Sequence, residues 1–296
     1  MERDRLYFKD ERGVFRKLPN DMAQSTEAKY SIEGISDFKE RHLAFGDAQI
    51  PDMDSRALET VLKVNEDWKA THVWIMGDMI NASTVSKYGY PADYERDLAS
   101  EILEARGMLK EVSARVTESN PDVKVKYLEG NHENRVQKYM DKHARELAML
   151  TEKDGDKTVS VPRLLGLAEL GIEWVPYWED DHIGEATILH GNIARIKGGY
   201  TGHAYIDKYG RSTVAGHSHR LAMIFRTQSG DVKFAIETGS LCKRDMVLPY
   251  VRADQADWQQ GLALIGVDKK DNLYPATIPI IDGRAGFGMK IYDGRK

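Results

Sequence analysis

The chain has a single cysteine, Cys242, among 296 residues, so it can close no intramolecular disulfide and build no Cys-based zinc site. A reducing compartment, the cytoplasm, is the expected location. Nowhere do 18 apolar residues run together, and no apolar segment follows Met1-Glu2-Arg3-Asp4-Arg5, so neither a membrane span nor a signal peptide is expected. Positive charge is not in surplus either. Lys and Arg number 42 against 47 Asp and Glu, a formal charge of -5, which argues against a surface coated in cation for duplex DNA but leaves room for a local basic groove. Low-complexity tracts and internal repeats are missing as well. What is there is a composition 41% hydrophobic and 30% charged, that of a soluble globular chain rather than a disordered one. At about 150 residues per domain the length allows two domains or one large α/β domain.

Residues 1 to 40 are polar and charge-mixed with no sustained period, and read as an irregular N-terminal extension. A different regime starts at Arg41: His42-Leu43-Ala44-Phe45 is a short apolar run that stops abruptly at Gly46-Asp47, as a buried strand does on entering a functional loop. Asp54-Ser55 offers a helix N-cap, and Ala57, Leu58, Val61, Leu62, Asn65 and Trp68 follow at spacings of three and four, only Asn65 breaking the apolar stripe. A second strand, His72 to Met76, ends at Gly77-Asp78, which completes a βαβ unit. Pro91, Asp93, Glu95 and Asp97 suit a helix N-terminus, and Leu98 to Val116 supplies its apolar face. Tyr88, Tyr90 and Tyr94 just before it could stack on a base or simply pack. Pro121 breaks that helix, Val123 to Leu128 alternates as a third strand, and Glu129-Gly130-Asn131-His132-Glu133 turns into a helix running to about Leu150. Thereafter strands dominate: Ile172 to Val175, Ala186 to Leu189, Thr213 to Ala215, Ala222 to Arg226, Val232 to Ile236 and Leu262 to Val267. The economical architecture is α/β, two packed sheets with helices outside and strand ends converging on one rim.

The polar residues at those strand ends are Asp47 and Gln49, Asp78 and Asn81, Asn131 and His132, His190, then His217 and His219. All offer oxygen or nitrogen. Such a set suits a pair of divalent ions such as Mn²⁺, Fe²⁺ or Zn²⁺ better than Ca²⁺ or a thiolate centre. His217 and His219, two apart, face the same side if the segment is extended.

The ordered motifs Gly46-Asp47-Ala48-Gln49, Gly77-Asp78-Met79-Ile80-Asn81, Gly130-Asn131-His132-Glu133, His190-Gly191 and Gly216-His217-Ser218-His219 resemble the calcineurin-like metallophosphoesterase superfamily, over roughly residues 43 to 240. Each motif alone is weak; five in order at strand ends are specific. The resemblance implies a four-layer sandwich, two mixed sheets face to face with helices outside, as a single domain over residues 41–296. It also implies two divalent ions, Mn²⁺ foremost with Fe, Zn, Ni or Mg as alternatives. One would be held by Asp47, Gln49, Asp78 and His219, the other by Asp78, Asn131, His190 and His217, with Asp78 bridging. His132 would be no ligand but would protonate the leaving oxygen or stabilise the transition state. A hydroxide bridging the ions would attack a phosphate ester. Gln49 stands where the family has His, a weaker donor that implies a loosely held first metal and dependence on added Mn²⁺.

Asn81, Arg135, Lys197 and His203 are candidate substrate contacts, the last two in a Gly-rich segment, Lys197 to His203. Arg195, Lys197, Lys208 and Arg211 are either a phosphate-steering rim or a solvated face. The resulting expectation is a dinuclear metal-dependent phosphohydrolase, a phosphodiesterase or nuclease first, acting on a phosphate ester that could be a nucleotide or nucleic acid. A nucleotide or pyrophosphate hydrolase, a phosphomonoesterase, and a non-catalytic scaffold of the same fold are the alternatives. The sequence leaves the oligomeric state open.

Overall fold

A computed structural model describes residues 37–87, 97–153, 155–228, 230–243 and 256–296, together with the backbone of 7–9 and 15–17. Tyr88, Tyr90, Pro91, Asp93, Tyr94 and Glu95 lie outside the described residues. The chain divides into two compact units, Met1–Glu33 and Gly34–Lys296. In the first, strands β1 (Tyr7–Lys9) and β2 (Phe15–Lys17) pair antiparallel, where the sequence reading expected irregular chain.

The second unit begins with β3 (Phe38–Phe45), α1 (Ser55–Trp68), β4 (His72–Ile75), α2 (Leu98–Ser119), β5 (Lys124–Leu128) and α3 (Asn131–His143). Strand β3 starts ahead of Arg41 because Phe38 packs on Trp68, with ring centroids 5.9 Å apart, while the charged residues between obscure the pattern. Asp54 caps α1, accepting Arg56 N–H at 3.1 Å. The polar break at Asn65 is explained by its buried side chain, whose Oδ1 accepts Ala70 N–H at 3.1 Å and closes the helix end. Asp97 caps α2. Helix α3 stops at His143 rather than Leu150, and a short turn, α4 (Arg145–Ala148), follows the non-helical Ala144.

After α5 (Val161–Leu165) come β6 (Ile172–Val175), β7 (Asp181–Ile183), β8 (Ala186–Leu189), α6 (Tyr200–Tyr209), β9 (Thr213–Ala215), β10 (Leu221–Gln228) and β11 (Asp231–Thr238). The chain finishes with β12 (Gly261–Asp268), β13 (Leu273–Ile281), β14 (Arg284–Phe287) and β15 (Lys290–Asp293). An eight-stranded sheet runs β15-β14-β13-β12-β3-β4-β5-β6 and a five-stranded sheet β10-β11-β9-β8-β7. Strands β3 to β6 are parallel neighbours, as right-handed βαβ crossovers require.

Alternation sends Leu43, Phe45, Val73 and Ile75 against α1 to α3, and Ala44, Trp74 and Met76 against Ile188, Val214 and Ile236 of the other sheet. Tyr205 of α6 packs with Leu189 and Ala215 on that sheet's outer face. The result is two mixed sheets face to face with helices outside. Among the described residues no helix is long and apolar enough to cross a membrane.

Candidate metal centre

Strands β3, β4, β5, β8 and β9 all run into loops at one rim, where parallel sheets present their carboxyl ends. These loops are laced together: Asp47 N–H donates to Gly77 O at 2.9 Å, Gln49 N–H to Asp78 O at 3.0 Å, and Gly216 N–H to His190 O at 3.0 Å. Two groups of ligating atoms result, each within 4.8 Å: Asp78 with His190 and His217, and Asp47 with Asp78 and His219. Asp78 belongs to both. Gln49 joins the second group, its Nε2 3.4 Å from Asp78 Oδ2 and 3.4 Å from His219 Nε2. Asn131 joins the first, with Oδ1 3.3 Å from His190 Nε2. The structure therefore gathers all seven side chains that the resemblance names as ligands.

The backbone at this rim is unusual. Asp47, Gln49, Asp78, His217 and His219 have φ of 51°, 54°, 49°, 66° and 56°, in the left-handed region that costs a non-glycine residue about 1–2 kcal/mol. Each fully buried large apolar side chain contributes about 1.5–3 kcal/mol, so the sandwich can hold the strain. His217 and His219 converge through this left-handed turn, not through the extended alternation expected from their spacing. Gly77 has φ +85°, and a Cβ at Gly130 would lie 2.1 Å from Asp78 Oδ1, so the two motif glycines let the carboxylate sit against the next strand's loop.

Beneath the ligands lies a carboxylate for which the sequence reading assigned no role. Glu133 is fully buried and accepts five hydrogen bonds, from the backbone N–H of Asp78, Met79, Ile80 and Gly130 and from the Tyr127 hydroxyl, at 2.8–3.3 Å. It fixes the Asp78 loop to the start of α3. Burial and the neighbouring Asp78 charge push its pKa up to about 7, while the five donors favour the ionised form. On the other side Glu237 accepts from Ser218 Oγ at 2.6 Å and from Gly199 N–H at 2.7 Å, tying the histidine turn to the start of α6.

Burial would raise the pKa of Asp78, but the imidazoles of His132, His190 and His217 outweigh it and hold the carboxyl well below its usual range. Burial disfavours a charged His190 too, yet Asp78 and Asp47 raise it. Against its own burial, Asp47 at 3.2 Å drives His219 up to about 10. Burial pushes His217 down to about 4. His190 Nδ1 lies 2.6 Å from Met76 O; a carbonyl only accepts, so the neutral ring carries its proton on Nδ1 and turns the Nε2 lone pair towards Asp78, 3.5 Å away. The fit to a cation is direct: Gln49 Oε1 and His217 Nδ1 are buried without a hydrogen-bond partner, and the donor set is two carboxylates, two amides and three imidazoles.

His132 stands beside the ligands, its Nε2 3.7 Å from Asp78 Oδ2 and its Nδ1 buried and unpaired. Arg135 Nη1 donates to Asn81 O at 2.8 Å. Asn81 is itself fully buried, its amide donating to Asp52 Oδ2 at 3.0 Å. Lys197 and His203 are exposed, and among the described residues no hydrogen bond or ion pair links either to the metal ligands. His203 lies on α6, which begins at Tyr200, not in a glycine loop. Two further neighbours carried no motif: Cys242 Sγ is 3.8 Å from His219 Nδ1, and the Trp258 ring lies 4.3 Å from the His219 ring.

No protein-family model matches the chain. It is similar to the Gene 54 protein of Mycobacterium phage L5, 23% identical over 263 residues that span 86% of this chain and 98% of the phage protein. The Gene 54 protein of Mycobacterium phage D29 is also 23% identical, over 266 residues, 82% of this chain and 95% of that protein. Among solved structures the chain is similar to Vacuolar Protein Sorting 29 from Cryptosporidium parvum, with TM-score 0.43, 14% identity and coverage of 87% and 100%. A dimetal phosphatase from Danio rerio gives TM-score 0.40, 10% identity and coverage of 81% and 96%.

Proposed function

We propose that this chain is a metal-dependent phosphoesterase of the calcineurin-like kind, acting on phosphodiesters with manganese as its working ion. The observation that carries the reading is the shared carboxylate: Asp78 sits in both ligand groups, so one side chain can serve two cations and damp their repulsion. Asp47, Gln49, Asp78 and His219 would hold one ion, and Asp78, Asn131, His190 and His217 the other. Two such ions, when bound, supply Lewis-acid charge and an activated water for attack on phosphorus.

The protein's own residues do the rest. Glu133 holds Asp78 and the start of α3 in fixed register, so that His132 is presented to the same pocket. Burial pushes the His132 imidazole down to about 3, so at neutral pH the ring is neutral and suits donation of a hydrogen bond to a phosphoryl or leaving oxygen. Asn131 also lines a neighbouring groove, which would take the second ester arm of a diester.

The test is a panel with added Mn²⁺: bis-p-nitrophenyl phosphate, p-nitrophenyl phosphate and ADP-ribose, with bound metal measured by mass spectrometry. Turnover of the diester, lost on exhaustive chelation and restored by Mn²⁺, is expected. Turnover of the monoester or of ADP-ribose alone would overturn the diester preference. No turnover and no bound metal would overturn the whole reading in favour of a scaffold.

A further inference from the structure

Helix α3 leaves the metal centre carrying one charged stripe. Asn131, whose amide oxygen is 3.3 Å from His190 Nε2, is followed at spacings of four, three and four by Arg135, Lys138 and Lys142, which place all four on one helix face. These side chains, with Lys87 from the loop opposite, line a groove of about 480 Å³. Among the described residues none that lines it is acidic. Asp141, further along the helix, accepts from Gln137 Nε2 at 2.7 Å, and neither residue lines the groove. In a chain of net charge -5 this run of cations is a local exception, and it points straight from the ligands outward.

Aromatic surface accompanies the charge. Tyr139 lines the same groove and is 44% exposed, and Trp178 is 76% exposed. The Lys138 ammonium lies 5.4 Å from the Tyr177 ring and 5.7 Å from the Trp178 ring, so the cation stripe and the aromatic pair meet at Lys138. A row of cations beside exposed ring faces matches a single nucleic-acid strand, in which phosphates recur along the backbone and bases offer stacking faces. It matches an acidic peptide less well, because that supplies charge without flat aromatic partners.

Resting on the phosphoesterase reading, we propose that this groove binds a single strand of nucleic acid and feeds a backbone phosphodiester to the metal centre. Arg135, Lys138 and Lys142 track the phosphates while Tyr139 and Trp178 stack the bases. Binding needs no metal, which separates the two readings experimentally.

The experiment is fluorescence anisotropy of a labelled oligothymidylate with the full chain in EDTA, across a salt series. The variants are Lys138→Glu/Lys142→Glu in the groove and Lys110→Glu/Lys269→Glu as an equal change of charge elsewhere on the surface. The groove pair should weaken binding at least about tenfold and reduce the magnitude of the log–log salt slope by about 1.4, two contacts at ~0.7 each. The control pair should stay within about twofold of wild type. Trp178→Ala should weaken binding about fivefold without altering the salt slope, as a lost stacking contact does. No binding by wild type, equal loss in both charge pairs, or displacement by poly-L-glutamate as readily as by unlabelled oligonucleotide would overturn the proposal. Failure to hydrolyse bis-p-nitrophenyl phosphate with Mn²⁺ bears on the phosphoesterase reading alone and leaves the anisotropy result to decide the groove.

Discussion

Asp78, His190 and His217 at one end of the strands, and Glu40, His42 and His72 at the other, are each a carboxylate with two imidazoles whose ligating atoms lie within 4.8 Å. Only the first leaves a ring lone pair turned towards the space between the ligating atoms. His42 Nδ1 accepts the indole N–H of Trp74 at 3.0 Å, and an indole only donates, so the neutral ring must carry its proton on Nε2, where Glu40 Oε2 accepts it at 3.1 Å. His190 has the opposite tautomer: its proton is turned away to a backbone carbonyl and its lone pair faces the centre. The His42 and His72 rings also stack face to face, 4.6 Å apart and 15° from parallel, whereas His190 and His217 meet edge-on at 69°. Proximity of residue types is thus a poor guide. What the hidden ring nitrogen does decides whether an imidazole is a ligand or a packed hydrogen-bond donor.

The sharpest way to break this contrast is Asp78→Asn, which removes the carboxylate common to both ligand groups. We expect at least a thousandfold loss of Mn²⁺-dependent diester hydrolysis and loss of bound metal, while His72→Ala leaves metal content at the wild-type level. Retention of both metals by Asp78→Asn would end the shared-carboxylate reading. Glu133→Gln comes next, because an amide nitrogen would face backbone donors: about 3 kcal/mol of stability, or roughly a 5–10 °C fall in Tm for a domain of this size, with turnover reduced in parallel. An unchanged Tm would show that the five donors are satisfied some other way. His42→Ala should cost about 2 kcal/mol by emptying a buried space and leaving Trp74 unpaired, with metal content and kcat/KM unaffected; a loss of metal would make the two trios alike after all.

The same residue also makes the contrast readable in pH. Burial, and then the charge of His72, depress His42 to about 3 in the fold, against an unfolded value of about 6.5. The unfolded chain therefore takes up a proton first as pH falls. His42 contributes stability that is complete above 6.5 and lost progressively towards 3. Thermal scans at pH 7 and pH 4 should show a larger drop in wild type than in His42→Gln; equal drops would mean that His42 titrates normally.

Much of this contrast could be seen in the sequence and part could not. The strands were legible because buried apolar runs ending in Gly-Asp have little else to be, and the ligand residues stood at those ends. His42 and His72 stand outside the five motifs, which reads as a structural role, but the reason is hidden, because the tautomer of His42 is set by Trp74, a contact made only across neighbouring strands. Glu133 was visible within its motif, but its work is to gather N–H groups from a loop some 55 residues earlier. Strands β13 to β15 and helix α6 were not legible: β13 carries Pro275 and Pro279, which weaken a strand signal, and α6 is entered through a glycine at φ +84°. The basic stripe of α3 was concealed by its period, since Arg135, Lys138 and Lys142 line up only once the segment is coiled.

The left-handed residues around the pocket carry an evolutionary consequence. At Gln49 an asparagine would sit in the same backbone, φ 54°, with less strain than the side chain present. The backbone alone therefore disfavours glutamine at this bend, and a lineage that no longer needed its amide would relieve that strain by replacing it. Persistence of glutamine at this bend across descendants would accordingly be a signature of continuing selection on its amide.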